Sequence, residues 1–186
     1  MGGFSLVELL LSLSLGLALS GVMLQGLMAE SHYGLRFSRL LRERATQRRT
    51  LQLIQSDLAQ ATKATTLMSA QQPACGSTSR STVLALTTAA GPVTYSVGAA
   101  PSGIWRGSVL WRCGPAYGLH GLLQAGTTVQ PRVVIDGLAP AGESVVVDEV
   151  TEPGVVMVSI QQQFKDAYGR VQTISTRQAL SGALFQ

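Results

Sequence analysis

From Leu9 to Ala29 the chain runs for 21 residues without a charge and without polar–apolar alternation. At about 1.5 Å per residue this makes a helix of roughly 31 Å, the thickness of a bilayer's hydrocarbon core. The pattern then changes. Tyr33, Phe37, Leu40, Leu51, Ile54, Leu58 and Ala61 recur at a 3.6-residue period, which predicts an amphipathic neck helix over 30–66, ending near Thr65. Pro73 and the run Gly76-Ser77-Thr78-Ser79 mark a loop. Beyond it come short runs with strand character: Thr82 to Thr87, Val93 to Val97, Val109 to Cys113, Arg132 to Ile135, Ser144 to Val147, Val155 to Gln161 and Val171 to Thr176. Gly91-Pro92, Gly114-Pro115 and Gly169 punctuate them, and the last two runs predict a hairpin joined through Lys165-Asp166-Ala167-Tyr168-Gly169. A long helix followed by an antiparallel sheet is an α+β arrangement, with 67–186 as a β-rich globular domain.

Composition sharpens this picture in two places. Of the 14 basic residues, six are Arg36, Arg39, Arg42, Arg44, Arg48 and Arg49, whereas five of the ten acids lie between Asp136 and Glu152. The formal net charge of +4 therefore hides a basic neck and an acidic loop region. On a helical wheel the arginines point all round the axis, and no aromatic residues alternate with them as a stacking platform for bases would require. A solvated neck facing lipid headgroups or acidic neighbouring subunits fits better than a nucleic-acid site, and DNA is the least supported partner. Cys75 and Cys113 are too few for a zinc site without histidines, and His32 and His120 stand at unrelated spacings. A disulfide in an oxidising compartment is expected, with two buried thiols as the alternative.

The chain contains no nucleophile elbow, phosphate-binding glycine loop, paired-histidine metal motif or Cys-x-x-Cys. No enzymatic activity, metal or cofactor is expected. Trp105 and Trp111 flank a short segment that would offer aromatic faces to a ligand, although burial in the sheet is the commoner use of such residues.

The N-terminus carries the most specific signal. A cleavable secretory signal has an apolar stretch of about 7–15 residues, preceded by positive charge and ended by a small-residue cleavage site, and none of these three features is present. Glu8 stands immediately before the apolar run, where a carboxylate needs a partner of opposite charge. The stretch Gly3-Phe4-Ser5-Leu6-Val7-Glu8-Leu9-Leu10 resembles the processing site of type IV prepilins and of the pseudopilins of type II secretion. The resemblance implies cleavage after Gly3 by a prepilin peptidase, N-methylation of Phe4, and pairing of Glu8 with a neighbouring subunit's terminal amine. It also implies a pilin-like fold, with residues 4–29 as the transmembrane and filament-core helix. The domain would then be periplasmic, on an inner-membrane anchor, before assembly onto a filament at the cell surface.

Two features depart from the family pattern. Met1-Gly2-Gly3, the leader this reading assigns, lacks the lysines or arginines of prepilin leaders, and the arginines follow the apolar span instead. The positive-inside rule alone predicts the inverted orientation; the processing motif is the more specific signal and takes precedence. Ser12, Gly16 and Ser20 place small side chains on one helix face, suited to close helix packing. Leu51 to Ala61, Val93 to Val97 and Val109 to Arg112 look like the larger minor pilins and J/W-type pseudopilins. The function expected is therefore structural: a minor pilin or pseudopilin whose partners are other pilins and an inner-membrane assembly platform. The alternative is a single-pass receptor or adhesion module that binds a ligand or DNA.

Overall fold

The computed structural model describes residues 5–66, 75, 79–140, 144–149, 155–166 and 169–182. The chain is α+β, with element order α1 (Leu6–Ala59), β1 (Ala61–Thr65), β2 (Ser81–Thr88), β3 (Gly91–Ala99), β4 (Ser108–Gly114), β5 (Gln130–Leu138), β6 (Val145–Glu149), β7 (Val155–Lys165) and β8 (Val171–Ser181). It divides into two compact units, Met1–Arg42 and Glu43–Gln186.

In the first unit, Leu6–Leu27 is long and apolar enough to cross a membrane, and none of it is buried. Two of its serines satisfy their hydroxyls locally: Ser12 Oγ donates to the Leu9 carbonyl at 3.0 Å and Ser14 Oγ to that of Leu11 at 2.9 Å. No polar group of these side chains then needs water, which suits a hydrocarbon environment.

In the second unit one antiparallel curled sheet is ordered β1-β2-β3-β4-β5-β7, with β7 at a branch. One edge of β7 takes β5, at Leu138 opposite Gln162, and β6, at Val145 opposite Ile160; the other edge takes the whole of β8. Thus β5 and β6 lie end to end along one strand, joined by backbone bonds from Ala139 N to Gln161 O and from Gln161 N to Ser144 O. Period-two burial in β7 puts Val156, Val158, Ile160 and Gln162 inside. Leu51, Ile54 and Leu58 of α1 pack on this face with Leu84, Tyr95 and Leu110, each aliphatic side chain contributing about 1.5–3 kcal/mol by burial. By contrast β3 from Val93 to Val97 and β4 from Val109 to Gly114 are buried at every position, so both faces of the sheet are covered there.

Two expectations need correction. The neck helix stops at Ala59, not near Thr65: Gln60 N turns back to the Asp57 carbonyl, and Ala61 to Thr65 pair with β2 as a strand. Thr62, Thr65 and Thr66 favour that outcome, since β-branched side chains fit a pleated edge better than a helix. The inward face of the neck is also less apolar than the period implied. Phe37 is exposed and Leu40 half-buried, while among the described residues the buried positions before Leu51 are Glu43, Gln47 and Thr50.

All seven expected strands are present, most of them longer at one or both ends than the apolar runs that announced them. The terminal hairpin pairs from Lys165 opposite Val171 to Val155 opposite Ser181. Its turn is closed by Asp166 N to Arg170 O, and by Gly169, at φ 76°, donating to the Asp166 carbonyl. Residues Pro73, Gly76, Ser77 and Thr78 of the expected loop, and Ala167 and Tyr168 of the hairpin connection, lie outside the described residues.

Candidate functional site

The processing residues Gly3 and Phe4 lie outside the described residues. Glu8 occupies the first turn of α1, where the Ser5 carbonyl accepts from Glu8 N at 2.9 Å and from Leu9 N at 3.2 Å. Its side chain is exposed and forms no ion pair among the described residues. A carboxylate there is favoured by the partial positive charge of the helix N-terminus, and Ser5-x-x-Glu8 has the spacing of a capping box. Gly16, Gly21 and Gly26 have nothing within 4 Å of the position a Cβ would take, so this stretch presents notches open to an approaching helix.

In the second unit α1 is fastened to the sheet by two polar clasps. At its C-terminal end Asp57 is fully buried and its carboxylate collects four hydrogen bonds. Arg112 of β4 donates Nε to Oδ2 at 2.7 Å and Nη2 to Oδ1 at 2.8 Å, a bidentate pair. Tyr117 donates its hydroxyl to Oδ1 at 2.5 Å, and the Tyr95 hydroxyl donates to Oδ2. Arg112 Nη1 also reaches the Pro115 carbonyl at 3.2 Å. Burial, then the Asp57 charge, holds the Tyr95 phenol well above its ordinary 10.0. Burial, together with the hydrogen bond to Asp57, pushes Tyr117 up to about 12.

At the other end Glu43, also buried, receives Arg106 Nη1 at 2.8 Å and Nη2 at 3.2 Å. The same guanidinium reaches Asp136 of β5 through Nε at 3.2 Å and Nη2 at 3.0 Å, and the Arg106 backbone N–H adds a bond at 3.1 Å. Burial alone would raise the Asp136 carboxyl; the hydrogen bonds and charge of Arg106 outweigh it and hold the group below 3.8. Gln162 of β7 completes the cluster, donating to the Asp136 carbonyl at 2.8 Å. Between the clasps Gln47 Nε2 donates to the Ile174 carbonyl at 3.2 Å and Gln47 Oε1 accepts from Thr176 Oγ1 at 2.5 Å, tying β8 to the helix.

The expected cysteine pair is brought together: Cys75 and Cys113 form a disulfide with Cα atoms 6.0 Å apart. It links the segment after β1 to β4, on the sheet face opposite α1. Nearby the Arg80 guanidinium lies 3.7 Å from the centroid of the Trp111 ring. Of the two tryptophans, Trp111 is buried and Trp105 partly exposed, in a loop where Ile104 is 83% exposed. A second exposed apolar pair, Leu119 and Leu122, stands on the β4–β5 loop, which Gln60 secures by accepting from Leu123 N at 2.9 Å.

The sequence reading missed both clasps. A single Asp, Glu or Arg carries no periodic signal; the only hint was that Glu43 and Asp57 sit on the helix face that also carries Leu51, Ile54 and Leu58. Among the described residues no three histidine, cysteine or acidic side chains group to hold a metal ion. No protein-family profile, curated protein or solved structure matches the chain.

Proposed function

We propose that this chain is a membrane-anchored, pilin-like subunit, processed by a prepilin peptidase and assembled into a filament of the type IV pilus or type II secretion kind. One observation carries the reading: in the sequence Gly3-Phe4 and Glu8 stand at the head of a 22-residue apolar span none of which is buried. An uncovered apolar helix needs lipid before assembly and other helices after it, and a filament core supplies the second environment. Glu8 then has a use, because a neighbour's terminal amine is the opposite charge that offsets its desolvation inside a helix bundle. The disulfide supports a domain outside the reducing cytoplasm, the orientation the processing motif implies and the flanking arginines oppose. The chain's role is assembly, without turnover.

The test is mass spectrometry of the N-terminus of protein extracted from membranes of a host with an active prepilin peptidase. The expected species begins at N-methyl-Phe4; an intact Met1 sinks the proposal. Glu8→Ala should insert normally and fail to enter filaments. A single-pass receptor or adhesion module is the second reading, favoured by the exposed Ile104 and Leu119 loops, and an unprocessed chain that stays in the membrane would select it.

A further inference from the structure

Residues 101–107, between β3 and β4, are all exposed, and they carry Ile104 at 83% exposure beside Trp105 at 36%. This loop has a fixed shape. Trp105 N–H donates to the Ser102 carbonyl at 3.2 Å, closing a turn with Ile104 at its third position. Arg106 then pins the loop, because its carbonyl accepts from Gly137 N at 2.6 Å and its guanidinium reaches Glu43, the first residue of the second unit, at 2.8 Å. The apolar tip therefore stands beside the point where the chain enters the domain. Arg106 is the only charge between Ala100 and Gly107, and Glu43 and Asp136 already hold it, so covering the tip strips no unpaired charge of water. Just past Glu43 on the helix, Arg44 and Arg48 are exposed. The exposed acid Asp148 stands on β6, opposite Met157, with Arg177 3.9 Å away.

We propose that Ile104 and Trp105 dip into the headgroup layer of the membrane that holds the apolar span, with Arg44 and Arg48 drawing the domain to its anionic lipids. The proposal rests on the membrane-anchored part of the reading above, and on neither processing nor a filament. Tryptophan suits that boundary, because its ring is apolar while its N–H finds a partner among headgroups and water. Each arginine near an anionic surface adds an attraction that salt screens. The tether is short: 15 residues, 28–42, join Leu27 to Glu43, and as a helix they span about 24 Å. Inclined to the bilayer, such a helix sets the loop down on the headgroups. Because the anchor makes this contact intramolecular, an attraction too weak to hold a free domain on a membrane is enough.

The test uses the full chain with Trp111→Phe, which leaves Trp105 as the sole tryptophan, reconstituted in phosphatidylcholine vesicles that contain phosphatidylglycerol. Lipid spin-labelled at the headgroup end of its acyl chain should reduce Trp105 emission about twofold, and lipid labelled at the chain terminus should not, as expected of a side chain at the interface. Ile104→Asp, at a side chain with little packing to lose, should abolish that quenching and open Trp105 to aqueous acrylamide, with an unchanged melting temperature showing that the fold survives. Vesicles of phosphatidylcholine alone should weaken the quenching. Quenching by acrylamide with none by lipid overturns the proposal. So does protection from both, the result expected if a second protein copy covers the loop, and so does lipid quenching that survives Ile104→Asp or is undiminished without phosphatidylglycerol. In each of these cases a chain that stays with the vesicles in alkaline carbonate leaves the anchor reading standing. Release of the chain into the carbonate supernatant overturns both.

Discussion

Asp57 illustrates how much one residue can hold. Its carboxylate is the common acceptor for β3 through Tyr95, β4 through Arg112 and the following loop through Tyr117. Asp57→Ala leaves the Arg112 guanidinium buried without a counter-charge and should cost about 3–5 kcal/mol. An apolar replacement of the group, Asp57→Leu with Arg112→Met and Tyr95→Phe, removes the buried charges together and should cost less. Urea-unfolding midpoints of the full chain in detergent, followed by circular dichroism, would rank the two. The tyrosines set an alkaline limit. Their folded pKa values lie above the unfolded value of 10.0, so their stabilisation is complete below pH 10 and is lost as pH rises towards about 12, where Tyr117 ionises. Melting temperature should hold its value up to about pH 10 and fall beyond it, with a shallower fall in Tyr95→Phe. No decline between pH 10 and 12 would contradict the buried phenols.

Strands were more legible than the helix face because each strand announces itself locally. The run Val155 to Gln161 alternates as β7 does, and the central β3 and β4 read as continuous apolar runs because both their faces are covered. β1 escaped, since Ala61 to Thr65 has no apolar alternation and follows a helix without a proline to stop it. The neck was misread on one side for a different reason: Gln47 is fully buried but polar, and its fitness for the interior depends on Ile174 and Thr176, more than a hundred residues away. That dependence makes β8 a reporter of the helix. Gln47→Ala should leave the Ile174 carbonyl unpaired, a loss of about 1–3 kcal/mol. Hydrogen exchange would be expected to quicken in β8 while β2 to β4 keep their protection; uniform quickening would mean that Gln47 supports the whole domain.

At the scale of the molecule, the cysteine pairing was legible by counting, as was its tie from the segment after the helix to the strand that carries Cys113; the sheet face it lies on was not. Joining residues 38 apart, the disulfide should add about 3–4 kcal/mol by loop closure. Alkylation under denaturing conditions should therefore modify neither cysteine until reductant is added, and reduction should lower the melting temperature. Free thiols in freshly extracted, unreduced protein would instead favour a cytoplasmic domain. The division into two units was only partly visible, because the helix that spans the boundary carries arginines on both sides of it while the clasp at Glu43 that begins the domain had no sequence signature. The two clasps also have a mechanical meaning. Glu43 and Asp57 lie 14 residues apart, about 21 Å along the helix, and both grip the same sheet through arginines that flank and lie within β4. Tension entering at Glu43 along the helix axis is shared by both ion pairs in shear, together with the apolar contacts between them, so no single bond has to peel first. Pulled from its N-terminus in an optical trap, the chain should yield at a higher force than when pulled from Gln186, where the terminal hairpin can unzip strand by strand.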